Sequence, residues 1–218
     1  ECARELGLQP DRLTVMVMTG GAGLASGAAM VERLLRLPGA LQVVAIAGRN
    51  APLLASYEAL AREHPQRMVA LGFTKTIERV MAASDLCVTK PGGLSTSECL
   101  ALGLPMLLIS PIPGQEERNA QYLLEQGAAW LAMDELALAW RMQQLLAEPQ
   151  VLARLRERAR KPGRQRPAHR SRKPERSRHG PARDSPNPSP AHGASTLRIA
   201  VYAAVILAQL PATRKDAR

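Results

Sequence analysis

The chain has 218 residues, 46% of them hydrophobic and only 3% aromatic, with a formal net charge of +10. That length and apolar content support one folded core, or a core with an appendage, built on Leu, Val, Ala, Ile and Met. Residues 1–160 hold 16 Lys+Arg against 16 Asp+Glu while residues 161–218 hold 13 against 3, so the basicity belongs to the tail and says nothing about the folded part. Three scattered cysteines (Cys2, Cys87, Cys99), with His64 the only histidine before residue 160, argue against a disulfide framework or a Cys/His zinc site and fit a reducing, cytosolic compartment.

In chain order, "ECARELGLQPDR" (residues 1–12) reads as a helix end and a linker, the remnant of an N-terminally truncated sequence. Residues 13–148 then alternate between two textures. Short apolar runs, "LTVMVM", "LQVVAIA", "MVAL", "DLCVT", "PMLLIS" and "AAWLA", predict strands. Stretches of helical period predict helices over 25–37, 51–63, 75–84, 94–103, 116–126 and 134–147. Strands apolar throughout and alternating with helices imply an α/β fold, a doubly wound parallel sheet covered on both faces. Ligands of such folds bind beyond the carboxyl ends of the strands, where strand order reverses. "TGGAGLASG", "GRN", "GFT", "KPGG" and "PIPGQEE" all fall at those ends.

After residue 160 the pattern ends. Residues 161–218 are rich in Arg, Pro and Ser, and eight of the 17 prolines lie there. Such a segment cannot bury enough surface to offset the entropy of ordering, so the expectation is a disordered or frameshifted basic tail. An arm binding RNA or an anionic membrane surface is the sharper alternative. The run "LRIAVYAAVILAQL" within it is too short for a confident membrane span.

Four motifs carry candidate chemistry. In "TGGAGLASG" the glycines, Gly20 and Gly21 among them, would let backbone N–H groups approach a phosphate at a helix N-terminus. Read as Gly21-x-Gly23-x-x-x-Gly27 it is also a loose dinucleotide fingerprint, but Arg49 stands where the ribose-binding acid would follow strand 2. "GRN" places a fixed cation, Arg49, and Asn50 at the end of strand 2; a solvated loop is the alternative. In "KPGGLSTSE", Gly92 and Gly93 hand strand 4 to a helix with free N–H groups facing the cleft, and Ser95 and Thr96 either cap that helix or donate to a phosphate. Glu98 is either a capping-box acid or a carboxylate accepting from a ribose diol. In "PIPGQEERN", Gln115 beside Glu116 offers the mixed donors and acceptors that suit a sugar, or is simple acid enrichment at a helix start. Two glycine-rich corners together suggest a diphosphate or nucleotide held between two helix N-termini. No Asp-x-Asp pair follows a strand, and the folded part has no His/Ser/Asp constellation. Leaving-group charge would then fall to helix N-termini and Arg49 rather than to a metal.

The combination of "GRN", "TKPGG", "GLP" and "PGQEERNA" closely resembles the donor-binding half of GT-B glycosyltransferases over about Leu13 to Leu146. More narrowly, it resembles the group containing monogalactosyldiacylglycerol synthase and processive diacylglycerol glucosyltransferase, with the lipid I N-acetylglucosaminyltransferase more distant. The resemblance implies a Rossmann-like domain over 13–160 and transfer of a hexose from a UDP-sugar to a lipid, with inversion. It implies uracil recognition by the backbone around Phe73 and Thr74, and ribose binding by Glu98. The diphosphate would lie against Gly92, Gly93, Ser95, Gly20 and Gly21, with Leu94 also among the donor-binding residues, and the hexose hydroxyls against Gln115 and Glu116. Arg49 and Asn50 match the family's "GRN" without a defined role. No metal or other cofactor is implied. The catalytic base and the lipid contacts would belong to an absent N-terminal acceptor domain, and the family's returning C-terminal helix is expected to be replaced by the basic tail. The implied place is cytoplasmic, peripheral at the inner face of the plasma membrane. The rivals are an NADP-dependent oxidoreductase and a nucleic-acid-binding module using the tail. The first leaves the second glycine corner and Gln115–Glu116 unexplained. The second lacks stacking residues, because residues 161–196 contain no aromatic.

Overall fold

A computed structural model describes residues 2–19 and 27–164 of the chain. Six strands form one sheet: β1 (Leu13–Met18), β2 (Leu41–Gly48), β3 (Met68–Gly72), β4 (Leu86–Thr89), β5 (Met106–Ile109) and β6 (Ala129–Ala132). Every neighbouring pair is parallel, and the order is β3-β2-β1-β4-β5-β6. The chain moves outward from β1 through β2 to β3, then returns to the other side of β1 and moves outward again. β1 and β4 are therefore the pair between which strand order reverses, with Met18 in register with Thr89 at their carboxyl ends. This is the doubly wound, Rossmann-like sheet that the sequence pattern predicts.

The strands are apolar on both faces because both faces are covered. On one side Val15, Val17, Val43 and Ala45 join Val31, Leu34 and Leu41 in a core cluster. On the other, Met16, Val44, Cys87 and Met106 pack with Cys99, Leu100 and Leu123. Each such Leu or Val, fully withdrawn from water, is worth about 1.5–3 kcal/mol against exposure.

The connecting helices are α2 (Gly27–Leu35), α3 (Ala51–Glu63), α4 (Ile77–Ala82), α5 (Gly93–Leu102), α6 (Gln115–Glu125) and α7 (Glu135–Ala147). Each falls where a helix is predicted, with α2 and α4 shorter than their periodic stretches.

Two further helices flank these. α1 (Cys2–Glu5) falls at the start of the stretch read as a helix end and a linker, and behind it Leu8 is buried. There Gln42 of β2 donates to the Gln9 carbonyl at 2.8 Å and accepts from the Gln9 N–H at 3.0 Å. α8 (Pro149–Arg164) starts on a proline, which suits a first turn, and runs past the tail boundary expected at residue 160. Its Leu155 and Ala159 are buried and Arg156 pairs with Asp85 at 2.7 Å. A helix here has masked apolar spacing because arginines fill the positions between. The expectations placed on Gly20, Gly21 and the tail beyond Arg164 lie outside the described residues.

Candidate functional site

The β4–α5 corner sits at the reversal point. Gly92 is extended (φ −69°, ψ 142°) and precedes α5 without any side-chain cap. Its own N–H donates to the Lys90 carbonyl at 2.8 Å, so it is not free for a ligand. That corrects the expectation that both glycines present open donors. The Thr96 N–H to Gly92 carbonyl bond, at 3.1 Å, ties the first turn back to its cap. The N–H groups of Gly93, Leu94 and Ser95 precede it and form the electropositive end of α5. Thr96 is also corrected. It is buried, and its hydroxyl donates back to the Gly92 carbonyl at 2.8 Å. The Ser97 hydroxyl likewise donates to the Gly93 carbonyl at 2.7 Å. Of the three hydroxyls only Ser95, half-buried, forms no hydrogen bond among the described residues.

Glu98 lies too deep in α5 to reach the cap, which removes the capping-box reading. It is half-buried with no hydrogen bond or ion pair among the described residues. Burial, and secondarily the charge of Glu78 on α4, push its carboxyl above the ordinary range. A half-buried, unpaired carboxylate in the second turn is a group prepared to accept hydrogen bonds from something else.

The β5–α6 corner folds against this one. Ser110, at the end of β5, takes φ 40°, a left-handed conformation uncommon outside glycine, and Gly114 takes φ 103°. Glu117 accepts from the Gly114 N–H at 3.0 Å, and Glu116 Oε2 accepts from the Ile112 N–H at 2.9 Å. Glu116 thus already supports its own loop through one oxygen. Gln115 is exposed, and its Nε2 lies 3.8 Å from where a Cβ on Gly93 would stand. Asn119, one helical turn further, is buried, and its Nδ2 donates to the Pro91 carbonyl at 2.9 Å. A Cβ on Gly93 would meet the Gln115 and Asn119 amides only at ordinary contact distance, 3.8 and 4.0 Å, so the two corners pack together without demanding a glycine there. The sequence reading assigned Asn119 no role. Its signal was the four-residue spacing from Gln115, which puts both amides on one side of α6.

The remaining residues sit across the sheet, at the ends of β2 and β3. Asn50 caps α3, its Oδ1 accepting from the Leu53 N–H at 3.0 Å. The Arg49 guanidinium lies 4.9 Å from the centroid of the Phe73 ring, which is 60% exposed. Thr74 Oγ1 accepts from the Thr76 N–H at 3.1 Å, rounding the turn into α4. Gly92, Gly93, Leu94, Ser95, Glu98, Gln115 and Glu116 thus gather around β4 and β5, and Arg49, Asn50, Phe73 and Thr74 around β2 and β3. Glu78 on α4, close enough to act on Glu98, links the two groups. Among the described residues no three His, Cys, Asp or Glu side chains come together as a metal site.

The chain as a whole is similar to known proteins. Residues 14–170 match the model of the glycosyltransferase family 28 C-terminal domain. The chain is 34% identical over 126 residues to a processive diacylglycerol beta-glucosyltransferase of Bacillus pumilus, covering 58% of this chain and 33% of that protein. It is 29% identical over 154 residues to the protein of the same name from Bacillus subtilis, covering 71% of this chain and 40% of that one. The chain therefore spans well under half the length of these relatives. Among solved structures, Acinetobacter baumannii MurG superposes with a TM-score of 0.58 at 22% identity, over 72% of this chain and 47% of that one. Anabaena Alr3699/HepE in complex with UDP and glucose superposes with a TM-score of 0.58 at 19% identity, over 72% and 44%. At such identities the structures speak for the fold alone, while the family model covers most of the described residues: the chain belongs to the glycosyltransferase family 28 C-terminal domain family.

Proposed function

We propose that this chain is the UDP-hexose-binding half of an inverting glycosyltransferase acting on a lipid, with diacylglycerol the favoured acceptor. The observation that carries the reading is Glu98. It is half-buried, unpaired among the described residues and beside the open N–H groups of the α5 N-terminus, while Gln115 reaches over Gly93 from the next corner. One nucleotide-sugar fits those three features in series. Glu98 accepts from the ribose hydroxyls, the N–H groups of Gly93, Leu94 and Ser95 with the Ser95 hydroxyl face the diphosphate, and Gln115 and Glu116 face the hexose. The backbone at Phe73 and Thr74 is left for the uracil. The names of the relatives supply the lipid, and the UDP and glucose of the Anabaena complex supply the ligand class.

In the reaction so proposed, the acceptor hydroxyl loses its proton to a base outside this chain and attacks the anomeric carbon. The bond from that carbon to the diphosphate oxygen breaks, and the configuration inverts. UDP leaves with its new charge toward the α5 N-terminus, a contribution of position and fixed dipoles that needs no cation. The chain alone binds donor and transfers no sugar. No helix among the described residues is long and apolar enough to cross a membrane. The proposed place of work is the inner face of the plasma membrane, with the protein peripheral to it.

The test is a thermal-shift titration of the purified chain with UDP, NADPH and a single-stranded oligonucleotide, with and without EDTA. Stabilisation by UDP, unchanged by EDTA and absent in Glu98→Ala, supports the reading. A shift with NADPH and none with UDP at millimolar concentration overturns it.

A further inference from the structure

A second surface lies on the outer edge of the sheet. β6 is the last strand in the order, and Gly127, Trp130 and the α8 residues Arg154 and Arg158 line one groove beside its amino end. The nucleotide-sugar residues gather at the carboxyl ends. Trp130 and Trp140 are the chain's only two tryptophans, and the Arg141 guanidinium lies between them, 4.9 Å from one ring centroid and 4.7 Å from the other. Trp140 is 53% exposed and Leu136, one turn earlier, 68%. The exposed residues of α7 itself, Leu136, Trp140, Gln143 and Ala147, include no charge. A helix facing bulk water ordinarily carries charges on its outer side. Arg154 and Arg158 are exposed, and neither forms an ion pair among the described residues. The one acidic residue of the groove, Glu125, accepts from Gln121 at 2.9 Å.

Indole rings with an apolar body and an N–H donor settle at the headgroup level of bilayers, and arginine forks bind phosphate oxygens in pairs. Arg141 gives one N–H to Gln144 Oε1 at 3.5 Å, and a guanidinium has five donors. We propose that this face docks on an anionic membrane surface. Lipid phosphates are met by Arg141, Arg154 and Arg158, and Trp140 with Leu136 enters the interfacial layer. A second copy of the chain is the poorer occupant, because a two-fold contact sets these arginines against themselves. Leu136 borders a cleft with Ile109, Ser110 and Ala132 at the carboxyl ends of β5 and β6, so this face adjoins the site, and the proposal stands whether or not the nucleotide-sugar reading holds.

The experiment mixes the full chain with vesicles of phosphatidylcholine alone or with phosphatidylglycerol, carrying lipids brominated near the headgroup. Indole emission then reports on this face only, because both tryptophans belong to it. Expected are a blue shift and quenching on the anionic vesicles, reversed at high salt. R154Q/R158Q should weaken partitioning on the order of tenfold or more, since each arginine near such a surface contributes about a factor of five. Trp140→Ser, at an exposed position that keeps the fold, should weaken partitioning and remove most of the quenching. Sedimentation of the protein with vesicles but without quenching assigns the binding to the tail, which has no tryptophan, and overturns the proposal. So does quenching that is equal on neutral vesicles, or a blue shift that follows protein concentration without lipid.

Discussion

The side-chain amide of Asn119 donates to the Pro91 carbonyl at 2.9 Å, both residues being buried, and so fastens helix α6 to the turn that precedes helix α5. The corner expected to hold phosphate and the corner expected to hold sugar are thereby one rigid unit. Asn119→Ala leaves that carbonyl buried and unpaired, at a cost of about 1–3 kcal/mol. A urea melt should show the loss, and UDP should bind more weakly in the variant at a temperature where it is still fully folded. Equal affinity in the folded variant would mean that the two corners hold their spacing without the bond.

Glu98 gives a pH signature with two opposite signs. Its carboxyl sits above the ordinary range in the folded chain, burial first and Glu78 second. The folded state therefore holds that proton to higher pH than the unfolded state does. The resulting stability is complete in acid, below the unfolded pKa, and is lost as pH rises through the folded one. Glu98→Gln should melt no lower than the parent at neutral pH, with any advantage vanishing in acid. Ligand binding runs the other way, because the diol needs the carboxylate. Calorimetric UDP titrations should weaken as pH falls through the Glu98 pKa in the parent, and should be weak and flat in Glu98→Gln. A parent whose affinity does not change with pH would remove Glu98 from the ribose.

Most of this fold could be read from period and punctuation, because each strand is a short apolar run between a helix and a turn. The right-handed crossover rule then limits the face on which each connecting helix lies, whereas strand order and register come from the structure alone. Three things could not be read. The hydroxyls of "LSTS" look equivalent in the sequence, yet helical geometry aims Thr96 and Ser97 at carbonyls one turn back and leaves Ser95 outward. Gly92 and Gly93 look like a pair of open donors, but Gly92 closes a tight turn on Lys90 and only Gly93 begins the helix. Helix α8 was hidden by its arginines, since a sequence pattern cannot tell a solvated cation from one that bonds back to Asp85.

Gly27 opens helix α2 at a point where a Cβ would stand 2.9 Å from the Tyr57 hydroxyl and 3.2 Å from Leu53 Cδ1. Tyr57 is fully buried on α3 and cannot swing away. Burial pushes its phenol above the ordinary range, with Thr19 nearby opposing, although neither hydroxyl completes a hydrogen bond of good geometry among the described residues. Gly27→Ala should cost about 1–3 kcal/mol by overpacking. Tyr57→Phe removes the obstructing oxygen, so Gly27→Ala should cost less in that background. A double-mutant cycle by urea denaturation reads the coupling. Strict additivity would show that Leu53 or the backbone, not the hydroxyl, sets the limit.

Asp85 joins three elements at the amino ends of the strands. Its Oδ2 accepts from the Thr14 N–H of β1 at 3.0 Å, its N–H donates to the Thr14 carbonyl at 2.8 Å, and its Oδ1 takes Arg156 of α8 at 2.7 Å. Both side chains of the ion pair remain about one-third exposed (36% and 35%), so the charge interaction itself is screened and worth about 1 kcal/mol or less. The bond to Thr14 is the larger part, because it pairs a backbone donor at the start of the central strand. Asp85→Asn should therefore lose the pairing with Arg156 but keep an acceptor for Thr14, and destabilise less than Asp85→Ala. Arg156→Gln should resemble Asp85→Asn, and combining the two should add little to either alone. Denaturant melts at low and high salt separate the contributions. Salt should narrow the gap between parent and Arg156→Gln and leave the gap between Asp85→Asn and Asp85→Ala unchanged. If instead Arg156→Gln costs as much as Asp85→Ala, helix α8 is held by this ion pair and not by Leu155 and Ala159.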